Sequence, residues 1–474
     1  MSHTIRADYR QRLLLPPSID EWVGPDHPAR FVRDLVESLD LPTLGFGAEL
    51  VEGEEGRPHY APELLLSVWL YGWMERVRSS RALEKACMRD VAFLWLTGNH
   101  HPDHVTLWRF FRQHRAALRK LFRRVVQVAV DGGLVGFALH ALDGTKLQAA
   151  SSMQTAMHRK SLEEQLKQLD AIVEQSMQQT EQAEQQEDAS YPMPAAMQAP
   201  EARKRAIRES LAKLDAAETS HLHPNEPDAR TMRMHGATPA LGFNAQIVVD
   251  HDSDLVVAAD VSNEETDHAQ LVPMMSVVLE STGRVAEQTV ADAGYYSGEQ
   301  IDGAERRHLP VHVNEQSVGG SNKGEFDKSQ FRYDGDRNGY TCPRGEFLPL
   351  ETTAKPTTGR AYPMSIYRCR NRECPVRAQC TKDARGRSIK RTPYEEALSR
   401  QADRQQGHDK QVLLALRKEI VEHVFGIVKG IDGFRRFTMR GLEAAKAQWA
   451  LICLAVNVRK LYAFWRSGQL QLAS

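Results

Sequence analysis

Apolar positions recur along this chain in more than one rhythm. From about residue 28 to 130 they follow helical spacing: "PARFVRDLVESL" and "APELLLSVWLYGWMERV" each open near a proline. "SSRALEKACMRDVAFLWL" follows, with Ser79 or Ser80 as its N-cap. "HPDHVTLWRFFRQHRAALRKLFRRVVQVAV" then reads as a short helix, a turn and a basic amphipathic helix. That pattern suits either a helix-turn-helix reader of DNA or a helical bundle with an exposed basic face. At 137–143 the rhythm changes to alternation. Phe137, Leu139, Ala141 and Asp143 share one face of a strand, which Gly144 is expected to end. Strands resume at 241–250 and 255–262, joined by the turn "HDSD". A helix over "TDHAQLVPMMSVVLES" places Asp267 in its first turn. A short strand then ends at Ala291–Asp292, a helix starts at Ser297, and a fifth strand covers 309–315. The order is β, β, β, α, β, α, β.

Two segments interrupt this alternation. Residues 154–220 are rich in Gln, Glu and Ala, with Leu162, Leu166, Leu169 and Val173, then Ile207, Leu211 and Leu214, at coiled-coil spacing. Between these runs "EDASYPMPAAMQAPE" has a linker's composition, so a helical hairpin that acts as spacer or dimer contact is expected. From about 323 to 395 the periodicity dissolves. Helices return over 408–465, first "ALRKEIVEHVFGIVKG", then a segment with Leu442, Ala445, Trp449, Ile452 and Val456 on one stripe.

Composition adds little to this picture, and charge adds more. A chain of 474 residues, 41% hydrophobic and 26% charged, is an ordinary globular protein large enough for several domains. No run of about 18 apolar residues predicts a membrane span. The first twenty residues lack the apolar stretch of a secretory leader, so the cytoplasm is the expected compartment. The net charge of −1 conceals a segregated distribution. Arg109, Arg112, Arg115, Arg119, Lys120, Arg123 and Arg124 crowd residues 105–126, which contain no acid. Nine Lys or Arg fall in 368–391 against Glu373 and Asp383. Local basic patches of this kind are what a phosphate backbone meets, although solvated helix faces look the same in sequence. His100, His101 and His104 have no paired cysteines nearby and read as loop or phosphate-contact residues.

Three acids stand where chemistry is expected: Asp143 and Asp292 at strand ends, and Glu422 on the helix after the fifth strand. Each alone has a plainer reading, as a turn residue, a cap and a surface acid. Together they can converge, and three close carboxylates repel unless cations bind. Hard divalent ions take oxygen ligands, and two of them can clamp the attacking and leaving oxygens of a phosphodiester.

With these residues in place the chain resembles the DDE transposases of bacterial insertion sequences. "LLLPPSIDEWVGPDHPARFVRDLVESLDL" is similar to their N-terminal region, "LDGTKLQAAS" to the segment of the first aspartate, and "GFNAQIVVD" to the second strand. "ADAGYYSGEQI" resembles the segment of the second aspartate, and "VEHVFGIVKGIDGFRRFTMRGLEAA" the region of the glutamate. The resemblance implies an α/β fold with an RNase H-like mixed five-stranded sheet flanked by helices. It implies an N-terminal all-α DNA-binding region (1–135) and a catalytic core (136–150 and 231–322). A coiled-coil-like hairpin insertion (151–230), a Cys-rich basic insertion (323–395) and C-terminal helices carrying Glu422 (396–474) complete the expected organisation. It further implies two Mg2+ or Mn2+ ions on Asp143, Asp292 and Glu422, double-stranded DNA ends and target as partners, and a homodimer that pairs two ends. A related signature, Tyr-x2-Arg-x3-Glu-x6-Lys, aligns Lys429 with its lysine but meets Lys418 and Ala415 at the arginine and tyrosine. Glu419, one turn earlier, is the rival to Glu422. Lys429, Arg109, Arg112 and Arg119 are the candidate DNA contacts.

Cys342, Cys369, Cys374 and Cys380 sit in the basic insertion and suggest a tetrahedral Zn2+ site, with reduced thiols as the alternative and an iron–sulfur cluster as a remoter one. Cys87 and Cys453 lie on apolar helices and read as core. Other readings remain at this stage: a non-transposing nuclease, a catalytically inactive DNA-binding protein derived from a transposase, and a zinc-dependent interaction protein.

Overall fold

The computed structural model describes residues 18–47, 59–152, 157–184, 195–216, 221–223, 225–234, 238–314, 326–357, 361–404 and 409–472. The N-terminal part is helical: α1 (Pro28–Glu37), α2 (Leu41–Leu44), α3 (Pro62–Met74), α4 (Ser80–Arg89), α5 (Val91–Leu96), α6 (His104–Gln113) and α7 (Arg115–Asp131). Ser79 caps α4 by accepting from the Ala82 amide, and Asp90 separates α4 from α5 by accepting from the Ala92 amide at 2.9 Å. Trp69, fully buried, donates from its indole to the Leu107 carbonyl and ties α3 to α6.

The central sheet is mixed. Its strands are β1 (Leu139–Gln148), β4 (Arg230–Met232), β5 (Ala240–Asp250), β6 (Val256–Ser262), β7 (Gln288–Ala291) and β8 (Val311–Val313). In space the order is β6–β5–β1–β7–β8, with the short β4 beside the start of β5. Pairing is antiparallel across β6, β5 and β1, and parallel across β1, β7 and β8. Every residue of β5 after Ala240 is buried, the mark of an interior strand covered on both faces. Helix α8 (Arg159–Glu184) and α9 (Ala195–Ala216) pair through buried Leu162, Ile207 and Leu214, next to a two-stranded ladder of β2 (Met157–His158) and β3 (His221–Leu222). Residues 187–194 of the expected linker lie outside the described residues.

After β6 come α10 (Leu271–Thr282) and, after β7, α11 (Gly298–Arg306). The chain returns to the sheet with α13 (Glu395–Arg404), α14 (Asp409–Gly426), a π-helical turn at Ile427–Ile431 and α15 (Leu442–Arg466). From Ala447 to Val458 every residue of α15 is buried, so this helix is enclosed on all sides instead of presenting one apolar stripe. Two of its buried side chains dock on strand backbone. The Asn457 amide donates to Val256 O and accepts from Val256 N, and the Trp449 indole donates to Gln246 O. No described helix is long and apolar enough to cross a membrane.

Four local expectations are corrected. Gly144 does not end the first strand, because β1 pairs with β5 from His140 through Gln148. Phe137 precedes the strand in a left-handed conformation, φ 60°. Asp267 lies ahead of α10, not in its first turn, held back by sheet side chains described below. Finally, the segment without periodicity is an antiparallel sheet of β9 (Arg332–Asp334), β10 (Gly339–Thr341), β11 (Phe347–Ala354), β12 (Met364–Arg368) and β13 (Ser388–Arg391), ordered as in the chain, with the short α12 (Arg377–Cys380) between the last two strands. Its strands are short and mostly half-buried, so their fully buried core is only Phe331, Tyr340, Leu348, Tyr367 and Ile389.

The helical region is locked to the sheet by Arg459 of α15. Its guanidinium donates to the Trp73 and Met74 carbonyls at the end of α3 and to both oxygens of buried Asp432 just after the π turn. Arg459→Met removes these donors while Arg76 and Arg78 stay within 3.5 Å of Asp432. The expected loss of stability is about 1–3 kcal/mol, read by urea unfolding.

Candidate functional site: two aspartates at a strand junction

The register of two parallel strands creates the site. The last β1–β7 pair is Leu142 with Ala291. Asp143 and Asp292 are the next residue on each strand, so the two carboxylates emerge side by side where the pairing stops. Beyond this point β1 keeps β5 on one edge, while among the described residues its other edge has no strand partner until Gln148 bridges to Arg436. Asp292 also caps the 3-10 turn Ala293–Tyr295, accepting from the Gly294 amide at 2.8 Å. Burial pushes the Asp143 carboxyl up to about 6; the Arg417 guanidinium pulls it down and the neighbouring Asp292 adds to the rise.

Arg417 reaches this junction from α14, with Nη1 3.0 Å from Asp143 Oδ2. Glu422 does not. Five residues on, at about 100° per residue, it points roughly 140° away around the helix. Its side chain is 63% exposed and stands 3.8 Å from Lys418. Glu419 is exposed as well. The structure therefore gathers Asp143 and Asp292 and leaves both helical glutamates at the solvent. Lys429, on the π turn, does reach the junction. Its ammonium donates to Thr145 Oγ1 and lies 5.4 Å from the Phe425 ring. Burial lowers its pKa from the usual lysine value, while Asp143 acts in the opposite direction.

Beneath the aspartates lies a polar floor. Asp267 accepts from Asn244 Nδ2 and Gln246 Nε2, each at 2.7 Å, and from Lys146 Nζ at 3.1 Å. The hydroxyl of buried Tyr295 donates to Gln246 Oε1. Asn244 and Gln246 are fully buried on one face of β5. Gly144 permits this approach: a Cβ there would lie 2.4 Å from Gln246 Nε2 and 2.8 Å from Asp267 Oδ1. Sequence reasoning missed the floor and Arg417. The available signal was two polar residues two apart inside the otherwise apolar "GFNAQIVVD", since a buried polar side chain requires partners.

The remaining candidates lie elsewhere. Arg109 and Arg112 are exposed on α6. Arg119 on α7 pairs with Glu443 at 2.9 Å, and Arg123 with Glu280 at 2.7 Å, so part of that basic helix is neutralised by acids of the core. His104 bonds Glu84, His101 bonds the Cys87 carbonyl, and His100 meets the Tyr60 ring edge-on. Cys342, Cys369, Cys374 and Cys380 line one small cavity of the β9–β13 sheet, whereas Cys87 and Cys453 are buried in the main core. Among the described residues no three His, Cys, Asp or Glu side chains are placed as a metal-ligand group.

Two families match the chain. The transposase DDE domain matches residues 341–462, a span that holds the four cysteines, Glu422 and Lys429 but neither aspartate. The transposase domain DUF772 matches residues 17–113, the helical region through α6. No curated protein matches the chain.

Asp143 makes stability depend on pH. Its unfolded pKa is about 3.9 and its folded one about 6, so the folded state holds the proton more tightly. The resulting stabilisation is complete below about pH 4 and is lost as pH rises to about 6. Its size is on the order of 3 kcal/mol. Urea unfolding in chelator across this range is expected to show the decline in the parent and not in Asp143→Asn.

Proposed function

We propose that this chain, a DDE transposase of the insertion-sequence kind, cuts DNA at the ends of its element and joins them to target DNA, using Asp143, Asp292 and Glu422. The observation that carries the reading is the shared register of the two aspartates at the mouth of the sheet. The sheet order, with β6, β5 and β1 antiparallel and β1, β7 and β8 parallel, supports an RNase H-like core. The raised pKa of Asp143 marks negative charge that its surroundings under-compensate, and that suits a cation.

Asp143 and Asp292 would hold divalent ions, Mg2+ or Mn2+, with Glu422 as the further ligand. Such ions sharpen a water or a DNA 3′-hydroxyl for attack and stabilise the oxygen that leaves. Arg417 supplies positive charge to Asp143 in their absence. For Glu422 to join, α14 must turn about its axis, and the π turn at Ile427–Ile431 offers a place to absorb that rotation. Lys429, anchored at Thr145, is positioned to meet a DNA phosphate beside the aspartates. Arg109 and Arg112 on α6 present charge to the duplex, and Arg119 contributes once Glu443 releases it. A homodimer would hold the two ends together.

A second reading has an observation in its favour. Arg417 on Asp143 and an outward Glu422 are also what a non-catalytic, transposase-derived DNA-binding protein would carry. Incubation with DNA bearing the element's own ends and Mg2+ separates the two. Active protein is expected to nick and join these ends. Asp143→Ala, Asp292→Ala and Glu422→Gln each lose several kcal/mol of transition-state stabilisation, on the order of a thousandfold in rate or more. Glu419→Gln retains activity. End binding without cleavage would establish the non-catalytic reading, and full activity in Asp292→Ala would remove that residue from the site.

A further inference from the structure

The β9–β13 sheet has a core too small for its size. Five buried residues, three of them tyrosine or phenylalanine with a fourth ring nearby at Tyr333, must organise a segment running from Phe326 to Arg391. Units with so little apolar interior usually add a covalent or metal staple. All four of its cysteines are free thiols, so no disulfide supplies one.

The backbone gathers those thiols. Cys342 opens a tight turn in which its amide donates to Glu346 O and Gly345 N donates back to Cys342 O, each at 2.8 Å. The turn aims two amides at the sulfur: Arg344 N and Glu346 N both stand 3.3 Å from Cys342 Sγ. Cys369 ends β12 and is held by its amide to Arg387 O at 2.9 Å. The chain passes close over it at Gly386, φ 105°, where a Cβ would sit 2.3 Å from Cys369 O. Cys374 and Cys380 bracket the short α12, with Arg377 N on Cys374 O and Cys380 N on Val376 O. Two loops and a helical turn thus deliver four cysteines to one cavity, which Phe331 and Leu348 also line.

We propose that Cys342, Cys369, Cys374 and Cys380 bind one structural Zn2+ ion that staples the β9–β13 sheet. The thiols as placed do not stand at ligand distance of one another's shared centre. The ion would draw them in by rotation of side chains that already face the same space, towards the Zn–S distance of about 2.3 Å. A closed four-sulfur site has no open position for substrate, so its role is structural. The inference is independent of the reading of Asp143 and Asp292.

The test uses the full-length chain purified without added metal or chelator. Elemental analysis is expected to find about one zinc per chain, released by a thiol-modifying reagent and reporting to a chromogenic chelator. Cys374→Ser and Cys369→Ser are expected to lose at least about tenfold of that zinc, while Cys87→Ser keeps it. Protease should cleave within 326–391 in zinc-stripped protein and spare it after zinc is restored, with the far-ultraviolet spectrum of the helices unchanged. Folded parent protein that neither carries zinc nor takes it up overturns the proposal. So does iron with visible sulfide-to-iron absorbance, or full zinc in both serine variants.

Discussion

Everything at the candidate site follows from how far β7 pairs along β1. One strand runs past the other, and the last shared pair, Leu142 with Ala291, sets the next residue of each at a common edge. A slip of one residue would turn Asp143 to the opposite face of the sheet. That register is held from the other side. β5 grips β1 through Gln148, and buried Asn244 and Gln246 tie Asp267 and Tyr295 beneath the junction. The two aspartates are therefore fixed by backbone pairing over a rigid polar base, whereas Glu422 rides on a helix and stands at the solvent.

That contrast shapes the chemistry. Asp143 and Asp292 are set side by side by the sheet itself, at the cost of two like charges in a poorly solvated corner. Arg417 relieves part of that cost. Helix α14 is continuous with a π turn whose other end is gripped by Arg459 and Asp432. The same clasp reaches the end of α3, so the helical region and the glutamate-bearing helix share one anchor.

Much of the sheet was legible because its strands carry strong patterns. The apolar run of β5, the turn after it and the Ala291–Asp292 break are local features that tertiary context did not override. Asp143 was legible as a position and misread as a terminus. Gly144 looks like a breaker in sequence, yet here it is a close-approach residue for Gln246 and Asp267, a demand that arises only between distant segments. The β9–β13 sheet was illegible for a different reason. Its strands are mostly three to five residues long and half exposed, so neither period has room to show. Arg417 was hidden by its neighbours, since charge on a helix says nothing of which face meets the sheet.

The helical hairpin between β1 and β5 has a consequence for the chain while it is being made. β1 ends at Gln148, but β5 begins only at Ala240 and β7 at Gln288. At synthesis rates of about 5–20 residues per second, the central strand waits between roughly 5 and 30 s for its two partners. Until β5 is made, Ala141 and Leu142, which end fully enclosed, stand on a strand with both edges bare. Such an edge invites pairing with another nascent chain. The insertion thus lengthens the time for which β1 stands without its β5 partner.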